Sequence, residues 1–231
     1  MTVSPAPVPS GSAPLASLFG GTPVVVAECA LPDQMPPIEP AEVAHVAQAV
    51  PPRRIEFATG RWCARRALRR LGVGSFVLHS GPDRAPVWPA GIVGSITHTR
   101  AVPGGYCGVA VARAGDVRAL GVDAERADAL KEEVWPAVLT DDERRWLDGQ
   151  PDPNQSATLI FSAKECFFKA QYPLSHRFLE FHDVAVDVDL GSSTFEARII
   201  GDRPPGEALT RCQGRLAYVD DLVVTGIALG A

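Results

Sequence analysis

The chain has 231 residues, 46% of them apolar, and a formal charge of −5 at neutral pH. That length supports one large or two small domains with a real core. The acidic balance leaves no overall basic footprint for nucleic acid, and no apolar run is long enough to span a membrane.

Five cysteines (Cys29, Cys63, Cys107, Cys166, Cys212) are scattered, odd in number and without Cys-x-x-Cys spacing. They read as reduced thiols of a cytoplasmic protein, each a small buried hydrophobe, and not as a disulfide or zinc framework. The N-terminus shows no basic stretch followed by an apolar core, so no secretory leader is expected. Residues 1–21, rich in Pro, Ser, Ala and Gly, are expected to form a flexible tail.

Val24-Val25-Val26 is a β-branched run, read as a buried strand over 23–27. A Pro-rich loop at 33–40 precedes an Ala-rich helix over 41–50, stopped by Pro51-Pro52. Residues 53–71 carry the strongest helical periodicity. Ile55, Phe57, Trp62, Cys63, Ala67, Leu68 and Leu71 share one face, seven arginines cover the remainder, and Gly72 caps the end. Most of those arginines read as a solvated face, although guanidinium is also the side chain best shaped for phosphate.

A short strand at 75–79 leads into a Pro/Gly loop over 81–91 that contains Arg84 and Trp88. Gly94 to Thr99 reads as a Gly-bounded loop, 108–112 as a strand, and 117–125 as another strand after a turn at Gly115-Asp116. Residues 126–150 are expected to be helical, with Val134, Leu139, Trp146 and Leu147 inside. Thr140, three residues before Glu143, forms a capping box that starts a new helix there. A turn at 151–154 leads to a helix over 156–171. Strands follow at 182–189, 193–200 and 215–218, the last two joined by a polar loop at 201–206. A final strand at 222–229 closes a hairpin near Asp220-Asp221.

Three stretches carry candidate chemistry. In the helix at 161–169, Phe-Ser-Ala-Lys-Glu-Cys-Phe-Phe-Lys, Glu165 and Lys169 lie four apart and reach from one face. A surface ion pair of small energetic weight is the plainer reading of that pair. In Gly121-Val122-Asp123-Ala124-Glu125, period two puts Asp123 and Glu125 on one strand face. Paired carboxylates repel unless a cation or a proton sits between them. With Glu165 they make three hard oxygen donors, the chemistry of magnesium with water and phosphate; a polar strand end is the alternative. In Gly94-Ser95-Ile96-Thr97-His98-Thr99, small hydroxyls and a His suit a phosphate oxygen, against an ordinary turn.

Together and in chain order, 94–99 first, then 121–125, then 161–169, the three motifs resemble the 4'-phosphopantetheinyl transferases, over residues 51–181. The length resembles the larger, monomeric type, and Arg53-Arg54-Ile-Glu-Phe, Val87-Trp88-Pro89-Ala90-Gly91 and Tyr172-Pro173-Leu174 resemble its actinobacterial members. The resemblance implies an α/β (α+β) fold of two similar halves related by a pseudo-twofold axis, here 22–116 and 117–231, with the ligand in the cleft between them. Phe57, Arg61 and Arg65 can be laid over Phe161, Glu165 and Lys169, as such halves would allow.

The reaction it implies moves 4'-phosphopantetheine from coenzyme A to a serine of an apo acyl- or peptidyl-carrier protein of a fatty acid, polyketide or nonribosomal peptide synthase, and releases 3',5'-ADP. Asp123, Glu125 and Glu165 would hold magnesium, or manganese in its place. Glu165 would accept the serine proton, and Lys164 and Lys169 would neutralise phosphate charge. Thr97 and His98 would bind phosphate oxygens, with the 3'-phosphate on His98. Arg53, Arg61 and the nearby Arg84 would hold the nucleotide end. The strip Tyr172, Leu174, His176, Arg177 and Phe178 would meet the carrier or line the pantetheine channel, or be a connecting loop folded onto the core. Two other readings stand beside this one: a magnesium-dependent hydrolase of coenzyme A or a nucleotide, and a binding module without catalysis. A stable mass gain on a carrier protein separates them from a transferase.

Overall fold

The structure is a computed structural model that describes residues 5, 13–201 and 209–231. The expected tail up to residue 12, save residue 5, and all but the first residue of the expected 201–206 loop lie outside the described residues.

The chain folds into two sheets, each with one long helix on its face. The first half opens with one helical turn, α1 (Pro14–Ser17), and strand β1 (Val25–Cys29). After the short α2 (Pro40–Val43) comes the Arg-rich α3 (Pro51–Arg70), then β2 (Ile92–Thr99) and β3 (Tyr106–Arg113). The sheet order is β1-β3-β2, antiparallel throughout. Proline at its first positions starts α3 and supplies the fixed φ a helix needs there. Its inner face buries Ala58, Cys63, Ala64, Ala67 and Leu68.

The second half opens with β4 (Val117–Arg126), passes through the short α4 (Trp135–Val138) and α5 (Asp141–Leu147), and reaches the long α6 (Pro153–Ser175). Strands β5 (Val184–Asp189), β6 (Thr194–Ile199), β7 (Arg211–Val219) and β8 (Leu222–Gly230) complete a sheet of order β4-β8-β7-β6-β5. Each half therefore runs strand, long helix, closing hairpin, and the last strand of the hairpin sits beside the opening strand. The second half adds β5 and β6 at the far edge. Phe167 and the apolar face of α6 pack on Phe195, Val223 and Ile227.

The halves meet along the edges of β2 and β4. This seam is made by side chains and not by a backbone ladder. Ser95 Oγ accepts from Val122 N at 3.1 Å, and Thr97 Oγ1 accepts from Ala124 N at 3.0 Å.

Several expectations are corrected. Leu15, Leu18 and Phe19 are not tail: they are buried against Val117, Leu120, Val122 and Val224. Burial of that apolar triplet outweighs the Pro/Gly-rich composition around it. Residues 94–99 are not a loop but the second part of β2, because β3 offers a full ladder from Ile92 to Thr99. The expected strand at 75–79 is irregular, and the isolated bridge that follows it, Ser80 to Pro86, falls just past its end. The helix expected over 41–50 amounts to α2 and a following 3-10 turn. That expected over 126–150 is interrupted: β4 continues to Arg126, and α5 begins only at Asp141, on the Thr140–Glu143 capping box.

Candidate active site

Gly121, Asp123 and Glu125 alternate along β4 on the face that α6 covers. Asp123 is directly paired with Thr225 of β8, and Thr225 Oγ1 lies 2.9 Å from Ser162 Oγ of α6. Gly121 sets the spacing. A Cβ there would lie 2.1 Å from the Cys166 carbonyl, so only a glycine lets α6 sit this low. The close approach lets the next turns of α6 reach Asp123. Lys169 Nζ donates to Asp123 Oδ1 at 2.6 Å, and Thr97 Oγ1 donates to the same oxygen at 3.3 Å.

Asp123 is 3% exposed, and its other oxygen, Oδ2, is buried without a partner. Glu125 and Glu165 stand close enough for their charges to interact. Burial first, then the Asp123 charge, pushes the Glu125 carboxyl up to about 8, with Lys169 opposing. Burial also raises Glu165, with Lys169 opposing and Asp123 adding to the rise. Burial pulls the Lys169 ammonium down, but Asp123, its hydrogen bond and Glu165 more than offset this, and the net shift is upward. Three crowded acids and one lysine leave an excess of negative charge held away from water.

Beside them is a cationic corner. Arg53 Nη1 lies 2.8 Å from His98 Nε2 and 3.3 Å from Glu56 Oε2. Arg100 Nε reaches Glu56 Oε1 at 2.8 Å. Burial lowers the His98 pKa; Glu56 opposes, while Arg53 and Lys169 add to the fall. The imidazole stands between the Arg53 guanidinium and the Glu56 carboxylate, whose Oε2 lies 3.9 Å from His98 Nδ1. Glu56 and Arg100 escape sequence reasoning. The one available signal is that Glu56 stands a helical turn after Arg53.

The remaining predicted residues have other duties. Lys164, expected on phosphate, is 2% exposed and points into the protein. Its Nζ meets Glu143 Oε2 at 2.8 Å, the Val138 carbonyl at 2.8 Å and the Phe181 carbonyl at 2.9 Å. Thr97 engages Asp123 and Ala124 and is a seam residue. Arg61 is buried over the Phe57 ring, with Nε on the Leu78 carbonyl at 2.9 Å and Nη2 on Ser80 Oγ at 2.8 Å. Its guanidinium fastens the irregular 78–80 segment. Arg84 is exposed in a turn, with φ of 67°. The same turn carries Asp83 within hydrogen-bonding reach of Tyr172 of α6.

An apolar recess of about 380 Å³ opens next to Glu165, lined by Phe168, Phe178, Leu179, Phe181 and Val184. Phe168 lies tilted against Tyr172 and edge-on to Phe178, with ring centroids 5.3 and 5.5 Å apart, and Phe178 is 73% exposed.

Asp123 and Glu125 of β4 thus face Glu165 and Lys169 of α6 in the second half, and Arg53 of α3 and His98 of β2 form the corner beside them in the first half. Residues 41–112 match the family described as 4'-phosphopantetheinyl transferase N-terminal domain, and residues 119–225 the 4'-phosphopantetheinyl transferase superfamily. The chain is 46% identical to 4'-phosphopantetheinyl transferase Svp of Streptomyces mobaraensis, over 83% of this chain and 78% of that protein. It is 36% identical to 4'-phosphopantetheinyl transferase PptT of Mycobacterium tuberculosis, over 82% and 85%. Among solved structures, holo-[acyl-carrier-protein] synthase of Thermotoga maritima aligns with a TM-score of 0.39 and 18% identity, over 49% of this chain and 63% of that one. The chain belongs to the 4'-phosphopantetheinyl transferases and is an enzyme of that type, of the larger class. The hydrolase and binding-only readings find no support in these relatives.

Proposed function

We propose that the Asp123–Glu125–Glu165–Lys169 cluster carries the transfer of 4'-phosphopantetheine from coenzyme A to a carrier-protein serine. The observation that supports this most is the convergence of Lys169 and Thr97 on one oxygen of Asp123 while the other oxygen has no partner. The donor set fits a hard divalent ion: three carboxylates, one with an orphaned oxygen and one raised to about 8 by burial and then by the Asp123 charge. As they stand, no three acidic, His or Cys side chains among the described residues are gathered closely enough to hold a metal; Lys169 occupies Asp123 instead. Asp123, Glu125 and Glu165 would hold magnesium or manganese, which when bound would neutralise pyrophosphate charge as a Lewis acid.

The protein's own groups do the remainder. Lys169 places a fixed cation beside the phosphates. His98, with Arg53 on its Nε2, suits the 3'-phosphate of coenzyme A. Glu165 accepts the serine proton, a role to which its raised pKa is suited. Arg61 and Thr97 act by holding other residues in place. The aromatic recess beside Glu165 suits the pantetheine arm or an apolar carrier surface, and Arg177 beside it suits an acidic carrier helix.

The test is incubation of the purified chain with coenzyme A, magnesium or manganese, and apo carriers of fatty acid, polyketide and peptide synthases, read by intact mass. A carrier mass gain equal to phosphopantetheine is expected. Glu165→Gln should lower the rate by at least 100-fold with unchanged melting temperature; a near-normal rate removes Glu165 as the base.

A further inference from the structure

Cys29, Cys63 and Cys107 are far apart in sequence and meet in the core of the first half. In the β1–β3 register Cys29 is the direct partner of Cys107. Cys63, on the inner face of α3, lies over them with its Sγ 3.1 Å from Cys29 Sγ. Cys107 completes the cluster from β3, directly across the ladder from Cys29. All three are free and fully buried. One buried cysteine is a small hydrophobe. Here two of them touch, and the Cys29–Cys63 separation exceeds a disulfide of about 2.05 Å by only about 1 Å. Hydrogen bonds from Cys107 and then Cys63, helped by Arg66 and opposed by burial, lower the Cys29 thiol to about 4. For Cys63 the Cys107 hydrogen bond pulls down, but the Cys29 hydrogen bond and burial leave the net shift upward; for Cys107 the hydrogen bonds to Cys29 and Cys63 and burial all raise it.

We propose that Cys29 and Cys63 are a covalent-modification site, a dithiol that a small peroxide converts to a disulfide joining β1 to α3. The Cys29 thiolate attacks one peroxide oxygen and becomes a sulfenic acid, releasing hydroxide that takes up a proton to leave as water. The Cys63 sulfur then displaces the sulfenic hydroxyl as a second water, giving the S–S bond. Two thiols and one hydrogen peroxide thus become one disulfide and two waters. Cys107 stays a thiol. Cys63 and the Arg53 corner lie on the same helix, so the link fixes the seat of the helix that bears Arg53.

The folded chain is treated with hydrogen peroxide, denatured, alkylated and mapped by mass spectrometry. A loss of two mass units, three alkylated thiols out of the five present, and a linked Cys29–Cys63 peptide pair are expected. The melting temperature should rise by roughly 5–10 °C and fall back on reduction. Full alkylation of all five thiols, a link through Cys166 or Cys212, or sulfinic acids in place of a disulfide would overturn the proposal. Cys166→Ala should leave the linked pair unchanged; its loss in that variant also counts against the proposal.

Discussion

Asp123 is the residue on which the site turns, and its environment explains the odd behaviour of its neighbours. Its Oδ1 is satisfied by Lys169 and Thr97, and its Oδ2 is orphaned in a buried position, an arrangement that costs stability unless a cation completes it. Glu125, two residues on, holds its proton up to a pH of about 8 because burial and Asp123 disfavour a second charge. Its folded pKa lies above its unfolded value, so between pH 4.5 and about 8 the native chain binds more protons than the unfolded chain. Stability from this group is therefore complete below the unfolded pKa and is lost as pH rises to about 8. In chelator-treated protein the melting temperature should fall by a few degrees from pH 5 to pH 8.5, and Glu125→Gln should flatten that slope; a slope unchanged by the substitution would assign it elsewhere. Lys164 gives the opposite lesson. A lysine next to the proposed base looked like a phosphate ligand, but its direction on the helix, about 100° from Glu165, turns it to Glu143 and two carbonyls.

At the level of elements, α6 is placed by β4 and β8. Ser162 is tied to Thr225, and the Cys166 carbonyl rests where Gly121 has no side chain. Gly121→Ala would force α6 away from β4, since a Cβ meets backbone at 2.1 Å and not the yielding end of a side chain. We expect a loss of about 1–3 kcal/mol in urea unfolding and a drop in transfer of at least tenfold, because Lys169 would leave Asp123. An active, equally stable variant would show that the helix height is immaterial. The β2 edge works in the same way: Ser95 and Thr97, which look like phosphate ligands in a loop, hold two β4 amide groups at the seam.

Across the whole molecule, one core cluster crosses the halves, joining Leu15, Leu18 and Phe19 to Tyr106 and Ala110 on one side and to Val117, Leu120, Val122 and Val224 on the other. The Glu28 carboxylate fixes this strap by accepting from Leu15 N at 2.7 Å and from the Tyr106 hydroxyl at 2.6 Å. Phe19→Ala should cost about 3–5 kcal/mol, measured by denaturant unfolding, and reduce transfer by loosening the seam on which Asp123 depends. A cost below about 0.5 kcal/mol would return this segment to the status of a tail.

The helices at α3 and α6, the strands after α6, the capping box at Thr140 and the pairing of Asp123 with Glu125 on one face were legible in the sequence, because local periodicity and capping chemistry set them. So was the family, through three ordered motifs. The ladder that turns 94–99 into a strand, the burial of Leu15 and Phe19, the Glu56–Arg100 corner and the meeting of three distant cysteines were decided only in three dimensions. Each depends on a partner many residues away, and a one-dimensional pattern reports which face a side chain takes on its own element but not what the opposing element brings to it.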